Sequence, residues 1–307
     1  MKNKTSILLN ASRRSLKAGG YAAGFVVTGT EKVRCGFGNG DCLLFDFKHD
    51  TFAVADGSER HPRGSRELLE RFGEELAEGD GAPVVDELQE YIRKIYKQQK
   101  YNSKTTFSCI SFVKEQDEIH AAVANGGDSI VLILDMNERK RRFKTAADMN
   151  FAGRSITEAA VNLIRIDQDR DRIILATDGF ADYIRQVFGA ESPEKFGLLY
   201  DESPERVVEI LTDSLEGLQD KIEYDDIGII IIDPGKKNLG FPVSILTGGT
   251  SSVEENRFSG PGAEEVPDRW LKESDWFENQ EIIEKAGIGI SWSVCKGKGF
   301  SGSKNSD

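Results

Sequence analysis

Paired cysteines, long apolar runs and an excess of positive charge are all missing from this sequence, and each absence removes a class of protein. The four cysteines, Cys35, Cys42, Cys109 and Cys295, include no Cys-x-x-Cys. That scatter argues against a zinc site and against a disulfide framework, leaving buried free thiols as the expectation. No apolar stretch is long enough to span a bilayer, and the first ten residues offer only Ile7 to Leu9 as an apolar run, too short for a signal-peptide core. A cytoplasmic chain without a membrane partner is expected. Lys and Arg number 40 against 52 Asp and Glu, a net charge of −12. Nucleic acid is therefore not an expected partner, because its affinity rests on basic side chains neutralising phosphates. The surplus carboxylates are available to metal cations instead.

What is present is the composition of a soluble, turn-rich globular protein, 38% apolar and 30% charged with 31 Gly, in 307 residues that suffice for a sizeable core. The stretch around which the chain organises is Thr51-Phe-Ala-Val-Ala-Asp-Gly57. A β-prone apolar run there ends abruptly in a carboxylate and a glycine, which places Asp56 at the mouth of a strand beside backbone that a ligand can approach. The same order recurs at Arg172-Ile-Ile-Leu-Ala-Thr-Asp-Gly179, and Asp225-Asp226 opens the run Ile227 to Ile232.

In chain order, residues 1 to 20 read as an arm or an edge strand, followed by β-leaning runs at Tyr21 to Thr28 and Cys42 to Phe47 with a glycine-rich segment between them. Strand 41–47 pairs with 51–55 through the turn at Lys48-His49-Asp50. Apolar spacing predicts helices from Ser65, taken as N-cap, to Leu76 and after Pro83. Thr105 to Val113, Glu118 to Ala124 and Ser129 to Asp135 read as an antiparallel meander whose last turn is Asn125-Gly-Gly-Asp128. Met136 to Glu158 reads as loop or flap, then strands at 163–166 and 172–176, a short helix at 182–188, and a helix from Pro204 to Leu218 capped by Ser203. This order suits an α+β layered fold. Past Pro234 the texture changes: residues 248–262 have a linker composition, 267–286 suggest a Trp-containing helix, and 296–307 a disordered end. The expected division is a catalytic unit over 1–234 and a dispensable extension over 235–307.

One Asp-Gly after a strand is ordinarily a hairpin turn. Three acidic strand ends that converge can hold two divalent cations, and oxygen donors with no His or Cys among them favour Mg²⁺ or Mn²⁺. Such a pair activates a water for attack on phosphorus.

The ordered set Asn39-Gly-Asp41, Asp56-Gly57 with His61 and Gly64 following, Ser103-Lys-Thr-Thr106, Asn125-Gly-Gly-Asp-Ser129, Thr177-Asp-Gly-Phe-Ala-Asp182 and Asp225-Asp-Ile-Gly228 resembles the PPM-type (type 2C) metal-dependent serine/threonine protein phosphatases, bacterial ones in particular. The resemblance spans about Gly36 to Asp233. It implies a four-layer α-β-β-α sandwich of two antiparallel sheets flanked by helices, with a metal cleft at one end. It further implies hydrolysis of phosphoserine and phosphothreonine in a phosphoprotein partner by a monomeric enzyme with two tight Mn²⁺ or Mg²⁺ sites and a third, weaker one. Asp56 would bridge both ions, the Gly57 carbonyl would bind one, Asp178 and Asp225 the other, and Asp128 the third, with Asp41, His61 and Thr106 in support.

The departures from the family pattern are specific. Gly40 stands where Glu or Gln is common, and Gly36 where an Arg grips phosphate, with Arg34 nearby. Lys104 replaces a Gly, Ile130 an Arg, and residues 145–153 lack a His-Ser signature. Two alternatives therefore accompany the phosphatase: a pseudophosphatase that binds phosphoproteins without turnover, and a regulatory phosphatase of a sigma-factor pathway.

Overall fold

The computed structural model describes residues 6–9, 13–18, 20–100, 103–115, 118–154, 159–216, 222–236, 244–251 and 288–292. Their strands, numbered in chain order, form two sheets. The first runs β1 (Ser6–Leu9), β13 (Ser244–Gly248), β4 (Asp41–Asp46), β5 (Thr51–Asp56), β6 (Phe107–Glu115), β7 (Glu118–Gly126), β10 (Ala160–Ile166). The second runs β14 (Ile288–Trp292), β2 (Arg13–Ala18), β3 (Ala22–Val27), β12 (Ile227–Ile232), β11 (Asp171–Ala176), β8 (Ile130–Asp135), β9 (Lys140–Lys144). Neighbours are antiparallel except β1 and β13, which pair in parallel at an edge. The helices are α1 (Thr30–Cys35), α2 (Gly64–Glu78), α3 (Val85–Gln98), α4 (Asp178–Phe188), α5 (Leu198–Asp201) and α6 (Pro204–Glu216).

Side-chain alternation builds the layers. Along β11, Ile173 and Leu175 face the first sheet, in one core with Phe45, Phe52 and Ile110, while Ile174 and Ala176 face α4 and α6. The opposite face of the first sheet is covered by Leu68, Leu69, Phe72 and Leu76 of α2 and by Leu88, Ile92 and Ile95 of α3. Three apolar cores thus separate four layers, the expected sandwich. Because both faces of the central strands are covered, β12 reads Ile-Gly-Ile-Ile-Ile-Ile rather than as an alternation.

Several local expectations change. The meander breaks after β7: β8 lies in the other sheet, and the chain crosses between sheets at Gly126–Ser129 with Gly127 at φ +99°, a conformation that favours glycine. Lys140–Lys144 within the expected flap is a strand at the sheet edge. Of the expected arm or edge strand over residues 1–20, residues 6–9 form an edge strand and residues 13–18 an interior one. Ser65 is not the N-cap of α2: the helix starts at Gly64, and Ser65 Oγ donates to the Pro62 carbonyl at 3.0 Å. Of the thiols, Cys42 and Cys109 are buried and Cys35 is exposed. No helix among the described residues is long and apolar enough to cross a membrane.

Beyond the expected boundary at 234, β13 adds to β4 with Ile245 and Leu246 buried, and Gly249 N–H donates to the Asp41 carbonyl at 2.8 Å. Residues 267–286 and 296–307, read as a helix and a disordered end, lie outside the described residues, as does Cys295.

Candidate metal centre

The first sheet supplies two neighbouring carboxylates. Asp41 at the start of β4 and Asp56 at the end of β5 are partners in register. Thr106 fixes Asp56 from both sides: Asp56 N–H donates to Thr106 Oγ1 at 2.8 Å, and Thr106 N–H donates to the Asp56 carbonyl at 2.9 Å. Thr106 Oγ1 in turn meets Ser129 Oγ at 2.6 Å.

The second sheet supplies the rest. Asp178 follows β11 and is the first residue of α4, not part of a free turn. Asp225 and Asp226 precede β12. Thr177 ties these segments together: its N–H donates to the Gly228 carbonyl at 3.0 Å, its Oγ1 accepts from Gly228 N–H at 2.9 Å, and that hydroxyl donates to Asp41 Oδ2 at 2.6 Å across the sandwich. Asp226 is deeply buried and accepts from Gly29 N–H at 2.7 Å, Gly40 N–H at 2.5 Å and Lys32 Nζ at 2.7 Å.

These oxygens converge around Gly40. A methyl built there would stand 2.7 Å from the Gly57 carbonyl oxygen, 3.3 Å from Asp226 Oδ2 and 3.5 Å from Asp56 Oδ1. That crowding favours glycine: any Cβ would press into the Gly57 carbonyl. Gly38 is constrained likewise, its Cβ position filled by the Thr250 carbonyl. Thr250 N–H donates to the Asn39 carbonyl and Asn39 N–H to Thr250 Oγ1, both at 2.8 Å.

Burial leads the electrostatics, and mutual repulsion adds to it. Burial, then Asp56 and Asp226, push the Asp41 carboxyl well above the usual aspartate range. Burial, then Asp178 and Asp226, do the same to Asp56, and burial, then Asp128 and Asp225, raise Asp178. Burial also raises Asp226, against the pull of Lys32 and two backbone N–H groups. Desolvated carboxylates that repel one another gain most from a shared cation.

The donor set fits a hard divalent ion, being oxygen throughout. Among the described residues, no three Asp, Glu, His or Cys side chains enclose an ion as they stand. Asp128 is exposed and reaches the group through its repulsion of Asp178. His61 contributes a turn, its carbonyl accepting from Gly64 N–H at 2.9 Å. Asp182 is exposed and pairs with Arg185 at 3.2 Å. Arg34, the nearby candidate for gripping phosphate, pairs on the surface with Glu223 at 2.6 Å.

Sequence reasoning assigned no role to Lys32, Thr177 or Thr250. Thr177 stands directly before α4 without capping it through its side chain, and all three act through contacts distant in sequence. Beside Asp225 opens a cavity of about 720 Å³, lined by Lys32, Phe37, Arg60, Asp182, Asp225 and Ser251 among others.

No family model and no curated protein matches the sequence. Solved structures do match in fold. A bacterial serine phosphatase superposes with TM-score 0.54 at 17% identity, over 72% of this chain and 100% of the other. The catalytic domain of the serine/threonine protein phosphatase PstP, in complex with two manganese ions, gives 0.52 at 16%, over 72% and 98%. Serine/threonine phosphatase Stp1 from Staphylococcus aureus gives 0.52 at 14%, over 71% and 95%. At these identities the likeness is one of architecture: the chain has the two-sheet, helix-flanked fold of the bacterial PPM-type serine/threonine phosphatases.

Proposed function

We propose that this chain is a metal-dependent phosphatase that hydrolyses phosphoserine and phosphothreonine esters in proteins. The observation that carries the reading is the gathering of Asp41, Asp56, Asp178, Asp225 and Asp226 from both sheets at one end of the sandwich, where burial and neighbouring carboxylates raise Asp41, Asp56 and Asp178. Asp56, the Gly57 carbonyl, Asp178 and Asp225 would hold Mn²⁺ or Mg²⁺, with Asp128 serving a weaker third position. Bound there, such ions supply a hydroxide nucleophile at neutral pH and polarise the phosphoryl oxygen. Thr106 and Thr177 keep the two halves of the ligand set in register, and the cavity beside Asp225 gives a phosphorylated segment of another protein room to enter.

A second reading, a cytoplasmic phosphoprotein binder without turnover, is favoured by one arrangement: the Lys32 ammonium already sits on Asp225 and Asp226. Both readings are tested by following p-nitrophenyl phosphate and a phosphothreonine peptide with added Mn²⁺ and with chelator. Turnover that requires the metal supports the enzyme. Peptide binding without turnover at saturating Mn²⁺ supports the binder, and neither binding nor turnover refutes both.

A further inference from the structure

Helix α1 inserts a cation into the acidic group. Lys32 Nζ lies 2.9 Å from Asp225 Oδ1 and 2.7 Å from Asp226 Oδ2, with its side chain only 16% exposed. This is not a surface lysine that happens to reach inward, because the helix that carries it is fastened to the segment it neutralises. Thr30 N–H donates to the Tyr224 carbonyl at 3.0 Å, Tyr224 N–H donates to Thr30 Oγ1 at 3.1 Å, Gly29 N–H donates to Asp226 Oδ1 at 2.7 Å, and Arg34 pairs with Glu223 at 2.6 Å. Burial alone would pull the Lys32 ammonium down, but Asp226 and Asp225 outweigh it and hold it above the ordinary lysine range.

The two carboxylates differ in what Lys32 means to them. Asp226 is also held by two backbone N–H groups and is 2% exposed, so it remains an anchor whether or not the ammonium is present. Asp225 is 61% exposed, lines the cavity, and receives only the Asp226 N–H besides Lys32 among its described contacts. An ammonium and a divalent ion cannot share one carboxylate oxygen at short range without strong repulsion.

We propose that Lys32 is a built-in counter-cation for Asp225 which a divalent ion has to displace before it can use that carboxylate. The site then takes the ion that depends on Asp225 only at raised metal concentration, and the metal-free chain keeps this end of the sandwich folded. The inference rests on the metal-binding reading above.

Two measurements test it. Calorimetric titration of Mn²⁺ should show the binding step that Asp225→Asn removes tightened by about tenfold or more in Lys32→Met relative to the wild-type chain. In the wild-type chain, which needs no variant to fold, Lys32 should resist an amine-acylating reagent in chelator and become labelled, as read by mass spectrometry, as Mn²⁺ fills that step. Labelling of Lys32 that saturating Mn²⁺ leaves unchanged overturns the proposal, as does a Lys32→Met titration identical to wild type. If both chains bind Mn²⁺ alike, only the role of Lys32 fails; if neither binds it, the metal reading fails and the proposal with it.

Discussion

At the scale of single residues, the proposed two-ion role falls on Asp56, whose backbone is fixed by its neighbour. Thr106 holds its backbone on both sides, so Asp56→Asn changes the charge while leaving the position intact. If Asp56 serves two ions as proposed, its loss should lower kcat/KM by roughly 10³-fold or more, several kcal/mol of transition-state stabilisation. Asp178→Asn and Asp225→Asn should lose less and regain part at high Mn²⁺; Asp56→Asn with undiminished activity and metal stoichiometry would defeat the two-ion reading. Asp41 makes a different prediction, about stability. Burial, Asp56 and Asp226 raise its pKa above 3.8 in the folded chain, so the folded state binds that proton more tightly than the unfolded state. Stability is therefore lost as pH rises from the ordinary aspartate value through the raised one. In chelator the chain should melt lower at pH 8 than at pH 5, and Asp41→Asn, whose amide oxygen still accepts from Thr177, should remove part of that difference. The expected gain at pH 8 is about 2–4 °C per kcal/mol relieved. An unchanged pH slope in scanning calorimetry would rule Asp41 out as its source.

At the scale of elements, legibility followed periodicity. α2, α3 and α6 were readable because Leu68, Leu69, Phe72, Leu76 and their counterparts repeat at helical spacing, and β5, β11 and β12 because their runs are apolar and β-branched. The strand-end carboxylates were readable for the same reason, since an acidic residue that terminates such a run marks where burial stops. Thr30–Cys35 and Lys140–Lys144 were not readable: the first buries none of its residues, and the second lies at a sheet edge with charged side chains in ion pairs. Nor could Asn125-Gly-Gly-Asp128 announce a change of sheet, because the same residues suit a hairpin. The unreadable α1 yields a prediction of its own. Thr30→Val keeps the shape but leaves the Tyr224 N–H without its acceptor, at about 1–3 kcal/mol. Hydrogen exchange should accelerate over residues 30–35 and 222–226 and stay unchanged in β5 and β11. Uniform acceleration, or none, would show that α1 is not fastened through this hydroxyl.

At the scale of the whole molecule, composition places a boundary after Asp233-Pro234, whereas hydrogen bonding carries the chain back across it. β13 lies between β1 and β4, and the residues after it run directly over the site: Gly249 bonds Asp41, and Thr250 and Asn39 bond each other twice. A linker-like composition conceals this, because Gly248, Gly249 and Thr250 are selected by close backbone approach rather than by flexibility, with a Cβ on Gly248 only 2.0 Å from the Asp41 carbonyl. Ile245 and Leu246 are 0% and 4% exposed, and burying two such side chains contributes about 3–6 kcal/mol. Set against a total stability of about 5–15 kcal/mol, that is enough to decide whether the chain folds. A chain ending at Gly235 should therefore melt far below the full chain or precipitate, with Mn²⁺ affinity lost because the strand bearing Asp41 becomes an uncovered edge. A chain ending at Ser251 keeps β13 and the Thr250 clamp and should retain most of the melting temperature and the Mn²⁺ affinity, since what it lacks includes β14, which among the described strands pairs only with β2. Thermal melts and Mn²⁺ titrations of the two chains side by side separate these expectations. If the shorter chain melted and bound Mn²⁺ like the longer one, β13 would be an accessory to the sandwich and the site would be complete without it.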